Sequence, residues 1–78
     1  LIQTIALRSP TKIPVLYGID AIHGATYTQN STLFPHNIAK SASRNPELVA
    51  HCAAICAIET RASGLYWNFD PVVDIGRN

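Results

Sequence analysis

The chain has 78 residues, 47% of them apolar, and a formal net charge of +1 with no basic or acidic block. That length holds at most one small domain, burying about 60% of the surface of its unfolded form, and the apolar share argues against disorder. The scattered charge argues against nucleic acid and anionic membrane as partners, and no apolar run nears the roughly 18 residues needed to span a bilayer.

Residues 1–8 carry apolar side chains at 1, 2, 5 and 7, the pattern of an amphipathic helix. Ser9-Pro10 closes it, because the residue before a proline avoids the α region. This segment lacks the charged start and small-residue cleavage site of a signal peptide. There is no methionine, and the chain stops directly after an apolar run. It therefore reads as a piece of something longer, truncated at both ends.

Thr11-Lys12 is a polar turn, and the run Ile13-Pro14-Val15-Leu16-Tyr17-Gly18-Ile19 follows. Pro14 can start a strand but not sit inside a central one, so the strand is expected at 15–19. Gly18 within it marks a tight bend, or the close approach of another backbone or a bound ligand. Asp20-Ala21-Ile22-His23-Gly24 then sits at the carboxyl end of that strand, where ligands bind in α/β proteins. Residues 24–33 are polar and aperiodic, hence a loop, and Asn30-Ser31-Thr32 within it matches the N-glycosylation sequon. A short helix is expected over 36–43.

The next helix is the best specified. Asn45 is a strong N-cap, Pro46 suits the first helical position, and Glu47 complements the positive end of the dipole. Leu48, Val49, Cys52, Ile55, Cys56 and Glu59 or Ala62 recur at three- and four-residue steps, giving one apolar face. Gly64 is a natural stop, so the helix runs near 46–63. A second strand follows at Leu65-Tyr66-Trp67-Asn68-Phe69, ended by Pro71, with Val72 to Gly76 as an extended turn. Strand, helical crossover and strand make a βαβ unit with parallel strands, and one such unit cannot cover both faces of a parallel sheet. The fold class is α/β.

Asp20, Asp70 and Asp74 all lie at or beyond the carboxyl end of an expected strand. Carboxylates gathered at one rim can accept hydrogen bonds from sugar hydroxyls, bind a cation or move protons; the plainer alternative is that each caps a nearby helix or turn. The residues alone leave these readings open. His23 and His36 flank the loop and could ligate a metal or carry a proton, but no third ligand stands at a diagnostic spacing, so a hydrogen-bonded scaffold role is the default. Cys52 and Cys56 lie one helical turn apart, poor geometry for a bridge, and His51 points about 100° away, so a zinc site is not expected. Both read as small buried apolar residues. Tyr66 and Trp67 alternate sides along a strand, which suits core packing better than a shared stacking surface for a sugar.

At this point the motifs carry a resemblance. Gly18-Ile19-Asp20-Ala21-Ile22-His23-Gly24 resembles the G-x-D-x-x-H-G motif of glycoside hydrolase family 3, which includes β-glucosidases and β-glucan exohydrolases. The likeness continues through Phe34-Pro35-His36-Asn37, Ala42 to Val49, Glu59 to Gly64, and Trp67 to Arg77. The Phe-Pro-His-Asn form looks like the exohydrolase-type and broad β-glucosidase branch rather than the β-N-acetylhexosaminidase branch.

The resemblance implies that the chain is one βαβ unit plus a flanking helix, a slice of a (β/α)₈ TIM-like barrel within the family's N-terminal domain. It implies that Asp20 grips hydroxyls of the non-reducing sugar in the −1 subsite. It makes His23, His36 and Asp74 site-lining or supporting. No catalytic residue is expected in this chain, because the family's nucleophile motif, acid/base and sugar-binding Lys-His pair have no counterpart in it; the family's chemistry needs no metal, and no cofactor is expected. Asp70 stands where many members carry a small residue, which leaves it without an inherited role. The expected partner is a β-glucoside or β-glucan oligosaccharide, with the rest of the parent chain needed for folding. The compartment stays open, and a secreted or periplasmic parent is compatible with the resemblance. The alternative is a non-catalytic module that binds carbohydrate or a partner through the loop at 24–37.

Overall fold

The computed structural model describes residues 1–73, 75 and 76, and its order is α1 (Ile2–Leu7), β1 (Gly18–Ile19), α2 (Asn37–Ala42), α3 (Pro46–Ala62) and β2 (Trp67–Asn68). β1 and β2 pair in parallel, Gly18 opposite Trp67 and Ile19 opposite Asn68. The expected βαβ order and strand direction are present.

α3 begins and ends for reasons that are local. The Asn45 side chain accepts from the Leu48 N–H at 3.0 Å, and Pro46 occupies the first turn, where its missing N–H costs nothing. At the other end Gly64 adopts φ +80°, Gly64 N–H donates to Arg61 O and Leu65 N–H to Thr60 O. That pair of bonds is a Schellman closure, which needs a residue without a Cβ at the left-handed position. α2 is capped by His36, whose Nδ1 accepts from the Ile38 N–H at 3.4 Å.

Three expectations about packing need correction. The strand expected at 15–19 is paired only at Gly18–Ile19, because β2 starts at Trp67 and offers nothing opposite residues 15–17. Val15 is instead met by a side chain: Gln3 donates to Val15 O at 2.7 Å and accepts from Val15 N–H at 2.8 Å, copying the two bonds of a neighbouring strand. The apolar face of α3 is also less covered than its periodicity suggests. Only Cys56 and Thr60 are buried, and Leu48 is half exposed.

The core is small and sits under the end of β1. Ile19, Ala21 and Cys56 form it, with Phe34 and Leu65 packed against them. Large apolar side chains elsewhere stay open, Leu16 at 64% and Val73 at 82% exposure. Tyr66 and Trp67 are exposed too, against the expectation of core packing. Trp67 meets Phe69 edge-on at 4.8 Å between ring centroids, and Arg61 lies 5.8 Å from the Tyr66 ring, so both rings pack at the surface. The reason is the same for all of them: two paired strands and one long helix supply too little surface to enclose them.

Candidate functional site

The rim begins where β1 ends. Asp20 follows directly and is exposed. Its carboxylate makes no hydrogen bond among the described residues, and the helix caps are other residues, so it is not spent on a turn or helix end. It lines an open cleft of about 440 Å³ with Tyr17, Tyr27, Thr28 and Phe69. An exposed carboxylate flanked by aromatic rings can accept two hydroxyl donors while the rings cover an apolar face.

The backbone around Asp20 is held more firmly than its side chain. Phe69 N–H donates to Ile19 O at 2.9 Å, one residue before it. Ala21 N–H, one residue after it, donates to Asn68 Oδ1 at 3.1 Å. The chain then turns sharply: Gly24 N–H donates to Ala21 O, and Gly24 has φ +89°. A Cβ there would lie 2.6 Å from Thr32 O, so both the conformation and the space demand glycine. Gly18 is needed for approach, since a Cβ there would come within 2.4 Å of the Phe69 ring. The group that approaches Gly18 is thus a side chain, not the backbone or ligand expected.

His23 and His36 meet edge-to-face, with ring centroids 5.5 Å apart. His23 clasps Phe34 twice: Phe34 N–H donates to His23 O at 2.9 Å, and His23 Nδ1 lies 3.0 Å from Phe34 O. A carbonyl can only accept, so Nδ1 carries the proton in that bond. The two imidazoles thus close the loop and cap α2.

The loop itself is latched to α3 by Glu59. Its carboxylate accepts from Thr32 N–H at 3.0 and 3.2 Å and from Thr32 Oγ1 at 2.7 Å. Ser31 Oγ donates to Ala25 O and Thr28 O, and Thr28 Oγ1 donates to Ser63 Oγ. Asn30, in the sequon, is exposed with φ +63°. The helical pattern had room for Glu59 only as one option on the apolar face. Its bond to a residue 27 positions away has no periodic signature.

Asp70 follows β2 as Asp20 follows β1, but the two are not brought together. Asp70 Oδ1 accepts from Asn37 Nδ2 at 3.0 Å and faces a separate cavity lined by Ala21, Phe34 and Cys56. It ties the first residue of α2 to the end of β2. Asp74 lies outside the described residues. Cys56 is buried and Cys52 half-buried, both as free thiols. No three His, Cys, Asp or Glu side chains converge as metal ligands among the described residues. The larger groove, about 580 Å³ between α2 and α3, is lined by Lys40, Arg44, Pro46 and Val49 among others and includes no carboxylate among the described residues.

The family model for the glycosyl hydrolase family 3 N-terminal domain matches residues 1–78, the whole chain. The chain belongs to glycosyl hydrolase family 3. It is 47% identical over 76 residues to a lysosomal beta glucosidase of Dictyostelium discoideum, covering 96% of this chain and 9% of that protein. It is 36% identical over 73 residues to a beta-N-acetylglucosaminidase/beta-glucosidase of Cellulomonas fimi, covering 92% of this chain and 13% of that one. A periplasmic beta-glucosidase of Salmonella typhimurium is 32% identical over 76 residues, 97% of this chain and 9% of its own length. The family 3 chain therefore spans about a tenth of the curated relatives it matches. No solved structure matches it.

Proposed function

We propose that this chain is part of a retaining β-glycosidase that removes terminal non-reducing β-D-glucosyl or similar residues from oligosaccharides or glycosides. Residues 1–78 are then one βαβ unit and a flanking helix from a (β/α)₈-type barrel, completed by further chain on both sides. The parallel strand pair and the open apolar side chains support that architecture. So does the small share of each relative's length that the chain covers.

Asp20 is the sugar-binding group of the −1 subsite. The observation that carries this role is an exposed carboxylate without a partner among the described residues, at the carboxyl end of a parallel strand, in a cleft beside Tyr17, Tyr27 and Phe69. As an ionised acceptor it takes two sugar hydroxyls in charge-assisted bonds, the stronger kind. Retaining hydrolysis also needs two carboxyl groups about 5–5.5 Å apart, one attacking and one protonating the leaving oxygen. Asp20 supplies neither role, and the chain on its own is inactive. The core is too small for the rival reading of an independent binding module to be preferred.

The experiment uses the full-length protein that contains this chain and an aryl β-glucoside. Asp20→Ala lowers kcat/KM by about two orders of magnitude or more, and a loss below about tenfold, roughly 1.4 kcal/mol, removes Asp20 from the subsite. Asp20→Asn keeps the shape and removes the charge, so its loss measures the charged part of the bond.

A further inference from the structure

The ladder between β1 and β2 ends in an unusual way. Its last main-chain rung runs from Phe69 N–H to Ile19 O at 2.9 Å. In a regular parallel ladder the next rung runs from Ala21 N–H to the carbonyl of Phe69. Here Ala21 N–H donates instead to Asn68 Oδ1 at 3.1 Å, and the same oxygen accepts from Asp70 N–H at 3.2 Å. One side-chain oxygen takes the place of a backbone carbonyl and uses both of its lone pairs.

Asp20 lies between the two bonds. The peptide before it is held by Phe69, the peptide after it by Asn68, and its carboxylate has no hydrogen bond among the described residues to aim it. The direction of that carboxylate is therefore set by its backbone, and half of that restraint comes from one amide side chain on β2. Ala21 and Asn68 are 47 residues apart, and the bond between them is partly buried, where an unpaired N–H is costly.

We propose that Asn68 is a positioning residue for Asp20: its Oδ1 holds the Ala21 peptide so that the Asp20 carboxylate points into the cleft. This rests on the reading of Asp20 as the sugar-binding carboxylate. Displacing a binding group by about 1 Å can cost on the order of 10²-fold in rate, so a single lost peptide anchor is enough to register in catalysis. The role requires an acceptor oxygen at the reach of asparagine. Leucine fills the same space and accepts nothing; serine is too short; aspartate keeps the acceptor.

The test is a double-variant cycle in the full-length enzyme, reading kcat/KM on an aryl β-glucoside. Asn68→Leu lowers it by about tenfold or more, while Asn68→Asp stays within about threefold of the parent. In the Asp20→Ala background, Asn68→Leu costs less than about threefold, because the group it positions is already gone. A merely structural residue would lower activity by the same factor in both backgrounds, and that result overturns the proposal. So does an Asn68→Leu enzyme within about threefold of the parent while Asp20→Ala is strongly impaired. If Asp20→Ala is itself within about tenfold, the sugar-binding reading fails first, and the two failures are told apart. Should Asn68→Leu not fold, Asn68→Ser takes its place in the same cycle with the same expected outcomes.

Discussion

The two halves of the stretch from Ile13 to Gly24 behave differently although one apolar run leads into both. Residues 13–17 are exposed throughout and, among the described residues, held by a single side chain, Gln3. Residues 18–24 include the buried Ile19, Ala21 and Gly24 and are pinned by Phe69, Asn68, Phe34 and the turn back onto Ala21. An apolar run becomes a strand only where a neighbour offers the other half of the ladder, and in this chain that neighbour stands at the site end. The half that is buried and hydrogen-bonded to distant residues is the half that carries Asp20.

This contrast can be broken or sharpened by substitution. The largest effect belongs to the site half and to activity: Asp20→Ala, with a loss of about 10²-fold or more in kcat/KM and little change in melting temperature, since its carboxylate supports nothing else among the described residues. Next comes Gly24→Ala, which forces a Cβ against Thr32 O at a positive φ. It should destabilise the full-length protein by about 2–3 kcal/mol, seen as a clear drop in melting temperature and in soluble yield. A melting temperature unchanged by this variant would show that the turn after Asp20 is looser than its geometry states.

Glu59→Ala follows. It removes three hydrogen bonds to Thr32 and frees the loop from α3, for about 1.5 kcal/mol. Faster proteolysis between residues 25 and 33 is the direct readout, and equal cleavage rates in parent and variant would rule the latch out. The smallest effect is expected at the other half. Gln3→Ala removes two exposed bonds to Val15 and costs about 0.5 kcal/mol, with kcat/KM unchanged. If Gln3→Ala matched Glu59→Ala in melting temperature, the two halves would not differ in the way described.

What was legible in the sequence depended on local chemistry. Asn45, Pro46 and Gly64 mark the limits of α3 because caps act over three to five residues, within reach of a sequence pattern. The parallel pairing of two strands across a helical crossover follows from topology, and the observed register agrees with it. The position of Asp20 at a strand's carboxyl end was readable for the same reason, and the run of motifs around it pointed to family 3.

The tertiary structure alone decided which part of the apolar run is a strand, which side chains are covered, and what each polar group touches. Asp20 and Asp70 follow neighbouring strands yet face different cavities, so a shared rim did not make them a pair. Asn68, Glu59 and His23 each bond to residues 11 to 47 positions away. Such bonds exist only once the chain has brought distant backbone groups together, and neither periodicity nor residue type announces them. Residue type and spacing set the helices, the crossover and the family; the closing of distant hydrogen bonds fixed the backbone on either side of Asp20.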